Sequence, residues 1–343
     1  MKNRFSGIFK IRMNEQSNNL VWLFIFMIVI FFVMGMIKPS TYFSMANFQS
    51  MGFQLPEIAV LSIGAMLPII TGGFDLSMVG VSNLSSIVSA LFMIHVIPPG
   101  ASPGEQALYV IVAFLLAIVV GTLCGYLNGV IITKFGTPSM IVTLGGQYLF
   151  MGIAIILTEG KPQLGFPEFF QIIGNGTVGS IPIPTIIFIV VAVVMYYILH
   201  KTSFGTKLYL IGSNTLASRY SGMNVDGLLR RTYSNAGTLA AIAGFILIAR
   251  TNQANADFGT SYTLQSIMVA VLGGTNPNGG SGSVAGVVMA VLTMQFISTG
   301  MNMIGVSNVN FLRQLVWGVV LIVVVAIYFV SSQRRTKTVV KSV

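Results

Sequence analysis

About ten apolar stretches, most of them long enough to cross a lipid bilayer, follow one another along this chain of 343 residues. They fall near residues 20–37, 55–72, 77–97, 107–131, 138–157, 183–199, 233–250, 262–274, 283–301 and 312–330. A spanning helix needs about 20 mostly apolar residues. Inside the hydrocarbon every backbone polar group must find its partner within the protein, which leaves helices or closed barrels as spanning structures. The expected fold is therefore all-α: a polytopic membrane protein with about ten transmembrane helices. The window at 262–274 is the shortest. With 8% charged and 54% hydrophobic residues, the chain lacks the charge a soluble protein of this size needs to cover its surface.

The first apolar run, Leu20 to Ile37, follows the basic residues Lys2, Arg4, Lys10 and Arg12, as a secretory signal would. It is longer than a signal core, and the weak cleavage pattern Ser44-Met45-Ala46 lies well beyond it, so an uncleaved first span is expected. Cys124 is the only cysteine and there are two histidines, His95 and His200, so neither a disulfide within the chain nor a metal cluster is expected. The net charge of +10 does not imply nucleic acid, because no basic run is interleaved with aromatics outside the spans. Lys and Arg collect in the cytoplasmic loops of membrane proteins. Placing both termini in the cytoplasm puts 14 of the 18 basic residues inside, leaving Lys38, Lys161, Arg250 and Arg313 outside. The loops at 97–106 and 158–182 then face outward.

The segment from about 200 to 231 is the one long, polar, basic stretch between apolar spans. Helix formers from Leu216 through Arg219 to Tyr220 stand between the turn formers Gly212, Ser213 and Asn214 and the pair Ser221-Gly222. This predicts a short helix at the inner membrane face, suited to docking a soluble partner. The remaining tail, 331–343, is also cytoplasmic in this reading, and the whole of 1–343 forms one transmembrane domain.

Two glycine-rich breaks precede in-to-out helices. In the first, Gly72 and Gly73 can break the helix, and Asp75, ahead of Ser77, can accept backbone N–H groups of the next helix. Asp75 reads either as a plain cap or as an ionisable residue at a gate. The second runs through Gly273, Gly274, Gly279 and Gly280 to Ser283. It lacks the Lys of a phosphate-binding P-loop. The spacing Gly282-x3-Gly286 favours close helix contact. Two breaks about 200 residues apart hint at an internal repeat, as in many transporters. Polar residues within spans are Asn83, Asn128, Gln147, Asn235, Gln265 and Gln295, either interhelical hydrogen-bonding partners or the lining of a solute path. No catalytic set emerges, and the bundle offers almost no ionisable residues for proton coupling. Energy from another subunit is the expectation.

Three segments carry a resemblance to a known family: Gly72-Gly73-Phe74-Asp75-Leu76-Ser77, the run Phe204-Gly205 through Gly212-Ser213-Asn214 to Ser221-Gly222, and Gly273-Gly274 through Gly279-Gly280-Ser281-Gly282-Ser283. The chain resembles the membrane subunit of ATP-binding-cassette importers of the ribose, xylose and monosaccharide type. One departure is Met78, which intervenes before Val79-Gly80 and rotates the later residues by about 100° on a helix, so the family role of Gly80 is not carried over. The resemblance implies a permease without enzymatic activity or cofactor of its own in a bacterial inner membrane. It works as a dimer with a second copy or paralogue, on ATPase subunits that contact the 200–231 loop, and is fed a monosaccharide by an extracytoplasmic binding protein. The rivals are the related permeases for nucleosides or branched-chain amino acids, and a stand-alone secondary transporter.

Overall fold

A computed structural model of the chain describes residues 20–98, 100–304, 312, 315–319 and 322. The basic residues of the N-terminus, Arg313, most of the window at 312–330 and the tail 331–343 lie outside them. Among the described residues seven helices are long and apolar enough to cross a membrane: α3 (Met45–Ile70), α4 (Met78–Val96), α5 (Pro103–Phe135), α6 (Ser139–Thr158), α8 (Ile183–Lys201), α11 (Val225–Thr251) and α13 (Val284–Ile304). Two shorter apolar helices, α1 (Leu20–Gly35) and α12 (Tyr262–Leu272), join them. Short helices α2 (Pro39–Tyr42), α7 (Glu168–Asn175), α9 (Ser203–Ser213) and α10 (Thr215–Tyr220) lie between. Two strands of two residues, Thr177–Val178 and Ile181–Pro182, and an isolated bridge between Gln163 and Ala254 are the β-structure among the described residues. The chain is a multi-pass membrane protein.

Helix ends follow local chemistry. Ser102 and Glu105 form a reciprocal capping box at the start of α5, with Pro103 at its first position, and Gly136 closes its far end in the left-handed region. Its 33 residues reach roughly 50 Å, more than a bilayer core needs, so it tilts or projects.

The helices form two shells. Within the apolar windows of α3 and α11, 83% and 78% of residues are buried, against 28% and 22% for α6 and α8. The exposed faces of α5, α6 and α8 carry Leu115, Ile156 and Val193, which suits lipid or another membrane subunit. The closest pairing is α5 on α11. Gly121, Gly125 and Gly129 repeat every four residues along α5, and a methyl group on Gly121 or Gly125 would overlap the carbonyl of Gly237 or Tyr233. Backbones approach this closely only where side chains are absent. Thr122 and Thr238 then share a 2.7 Å hydrogen bond across the seam.

Two helices start well before their hydropathy windows. Helix α3 starts at Met45, ten residues before its window, and α11 at Val225, eight before. Hydropathy reports the surrounding solvent, whereas a helix continues through polar residues once it is capped. Asn224 supplies that cap to α11 by accepting from the Gly227 N–H. The basic loop is mostly helical: Gly212 and Ser213, expected as turn formers, are the last two residues of α9. Gly282 precedes α13, so it does not form the expected one-turn pair with Gly286 on a helix.

Candidate functional site

Both glycine breaks end their helices in the same way. Gly72 and Gly274 take positive φ, +84° and +85°. The next residues, Gly73 and Thr275, donate back to the carbonyls of Pro68 and Ala270. This is the left-handed closure in which a terminal N–H reaches five residues back. The breaks meet in space: Gly280 N–H donates to the Ile70 carbonyl at 2.8 Å. Gly212 of α9 wedges between them, since a methyl there would overlap both the Ile70 carbonyl and the Gly280 nitrogen. A methyl on Gly279 would in turn sit 2.8 Å from the Gly72 nitrogen and 2.9 Å from the Gly212 carbonyl. Tyr209, one turn earlier on α9, donates to the Gly282 carbonyl at 3.0 Å. Burial pushes its hydroxyl up to about 12, so it remains a donor throughout the physiological range. Three motifs separated by up to 200 residues thus form one junction made largely of backbone.

The first break needs partners for its exposed N–H groups, and α6 supplies them from one face. Ser139 Oγ accepts from Phe74 at 3.0 Å, Thr143 Oγ1 from Leu76 at 3.0 Å and Gln147 Oε1 from Gly80 at 2.7 Å. Asp75 is buried and accepts from Ser77, backbone at 2.9 Å and hydroxyl at 2.6 Å. Asn128 of α5 completes the chain by donating to the Ser77 hydroxyl at 2.8 Å. Asp75 thus accepts a backbone N–H as expected, but that of the capping residue Ser77 itself; the Ser77 side chain does not cap α4, and Gln147 of α6 takes the Gly80 N–H of its first turn instead.

Beyond α9, Asn214 accepts from Ala217 and starts α10, and Gly222 leaves it at φ +81°. Leu216 and Tyr220, one turn apart, are 67% and 90% exposed. Both side chains of this six-residue helix stand outside the core. Arg219 instead folds back onto Asp226 of α11.

At the opposite end of the inner shell lies a pair that hydropathy did not reveal. Glu57, inside α3 and 3% exposed, is held by Arg250 of α11 through bonds of 2.9 to 3.2 Å. Tyr262 donates to the same carboxylate at 2.9 Å. The expectation of a bundle almost free of ionisable groups is corrected here: a lone acid and a lone base, 193 residues apart, neutralise each other. They border a cavity of about 210 Å³ whose lining also holds Gln54, Gln265 and Gln295. The six polar span residues therefore divide. Asn83 clamps the loop before α12 through the Ala256 and Phe258 carbonyls, both at 2.9 Å. Asn128 and Gln147 serve the first break, Asn235 lies half-buried on α11, and Gln265 and Gln295 face the cavity.

The profile of the family described as the branched-chain amino acid transport system permease component matches residues 48–325. The chain belongs to this family. Among curated relatives, the ribose import permease protein RbsC of Bacillus subtilis is 32% identical to this permease over 88% of this chain and 90% of its own. The ribose import permease of Escherichia coli K12 is 31% identical over 88% and 91%. The autoinducer 2 import system permease protein LsrD of Enterobacter sp. strain 638 is 32% identical over 73% and 75%. No solved structure matches significantly.

Proposed function

We propose that this permease is the membrane-spanning subunit of an ATP-driven importer that carries a neutral monosaccharide inward. The observation that carries this reading is the close contact of Gly212, at the end of α9 next to α10, with both breaks. An ATPase subunit gripping Leu216 and Tyr220 pulls on α9, and Gly212 passes that movement to the junction of Ile70 and Gly280 without an intervening side chain. Separating the two breaks opens the inner end of the bundle. Asp75 and the α6 hydroxyls keep the first break satisfied while it moves.

In this reading the membrane is the bacterial inner membrane, both termini are cytoplasmic, and ten helices cross it, α12 as a short one. Two permease copies or paralogues, two ATPase subunits and a soluble binding protein complete the assembly. The ribose-import relatives support a pentose or hexose as cargo. A second reading, import of a branched-chain amino acid, is favoured by the description of the family itself. Reconstitution with the ATPase and the binding protein separates them: ATP hydrolysis should rise with sugar-loaded binding protein and not with L-leucine. Uptake driven by an ion gradient without an ATPase would return the chain to the secondary transporters.

A further inference from the structure

We infer that the cavity between α3, α11, α12 and α13 is a binding station for an uncharged, polyhydroxylated solute, and that the Glu57–Arg250 pair sets its selectivity against zwitterions. This rests on the monosaccharide reading above and assigns it a place within the chain. The cavity carries hydrogen-bonding capacity that the protein leaves unused. Gln265 is only 9% exposed, and its amide has no hydrogen-bond partner among the described residues. Gln295, equally buried, uses its Nε2 on Thr299 at 3.3 Å and leaves its carbonyl toward the cavity. Arg250 directs Nε and one terminal nitrogen to Glu57, while a quarter of its side chain remains exposed. The unpartnered atoms of both amides remain accessible beside the cavity, where water or a ligand supplies the bond. Met268, Val291, Met294 and Trp317 add apolar surface to the same lining. Polar and apolar side chains within one lining fit a sugar, which has hydroxyl edges and C–H faces.

Charge decides against an amino acid. The lining holds one acid and one base, already matched in a fork. A solute carboxylate would have to take Arg250 from Glu57, and a solute ammonium would have to take Glu57 from Arg250. A zwitterion making both exchanges at once strands neither charge, but it must first separate Glu57 from Arg250, which α3, α11 and the Tyr262 hydroxyl hold together. Hydroxyl groups instead use the unfilled amide and guanidinium positions and leave the pair intact.

Trp22 and Trp317 are the only tryptophans, so Trp22→Phe makes Trp317 a reporter in the cavity wall. The full chain in lipid nanodiscs should show saturable changes in Trp317 emission with at least one of D-ribose, D-xylose and D-glucose, and none with L-leucine. Gln265→Leu should weaken the response roughly tenfold or more, and the milder Gln265→Asn severalfold, because hydrogen-bonding sites discriminate steeply. Sugar uptake by the complete importer with no Trp317 response, or with a response that Gln265→Leu and Gln265→Asn leave unchanged, overturns the cavity assignment while the transport reading stands. A response to L-leucine alone overturns both.

Discussion

The two ends of the inner shell solve the problem of polarity in a membrane by opposite means. At the junction of Gly72, Gly212 and Gly280 side chains are absent and backbone bonds backbone. At the cavity of Glu57, Arg250 and Tyr262 long side chains reach across three helices to satisfy one another. In the proposed cycle the first arrangement passes movement on, because no side chain lies between Gly212 and the two breaks. The second fixes α3, α11 and α12 relative to one another and leaves space beside the fork. The proposed transport cycle uses the first as its moving end and the second as its holding end.

The largest expected effect tests the junction. Gly212→Val should cost about 3 kcal/mol or more, because the added atoms meet backbone that cannot yield. Gly222→Ala, in open space at φ +81°, should cost only about 1–2 kcal/mol from left-handed strain. Thermal unfolding in detergent measures both, and equal losses would erase the distinction between a close contact and a turn. Next comes the holding end. Glu57→Gln leaves Arg250 without its counter-charge and should cost about 3–5 kcal/mol, while Glu57→Leu combined with Arg250→Met should recover most of it. A double variant no better than the single would mean that the pair itself holds the helices. Smaller still, Ser139→Ala or Thr143→Ala removes one acceptor from the first break, at about 1–3 kcal/mol each by the same measurement. Arg219→Ala breaks an exposed ion pair and should shift stability by about 1 kcal/mol or less.

The same comparison explains what could be read from the chain. The breaks were legible because glycine clusters in apolar sequence have few other uses, and the short helix at Thr215–Tyr220 because Asn214 and Gly222 bracket helix formers. The meeting of those motifs was not legible: the contact of Ile70 with Gly280 has no local signature. Gly212 suggested a turn because a glycine needed for close approach looks the same in sequence as one needed for positive φ. The α6 face was missed because Ser139 and Thr143 hardly change hydropathy. Glu57 and Arg250 were missed as a pair because each alone reads as an isolated charge near a span end. Gln265 and Gln295 were visible as polar residues, but only the fold separates them from Asn83, Asn128 and Gln147, whose amides hold other segments.

The link from α10 to the junction is the central claim, and one measurement addresses it directly. Leu216→Ala combined with Tyr220→Ala removes the exposed apolar contact while leaving the junction, the cavity and the Arg219–Asp226 pair untouched. Reconstituted with its ATPase and sugar-loaded binding protein, this variant should unfold at the wild-type temperature yet lose most of the sugar-dependent stimulation of ATP hydrolysis. Stimulation at the wild-type level in a variant that inserts and folds normally would contradict the link.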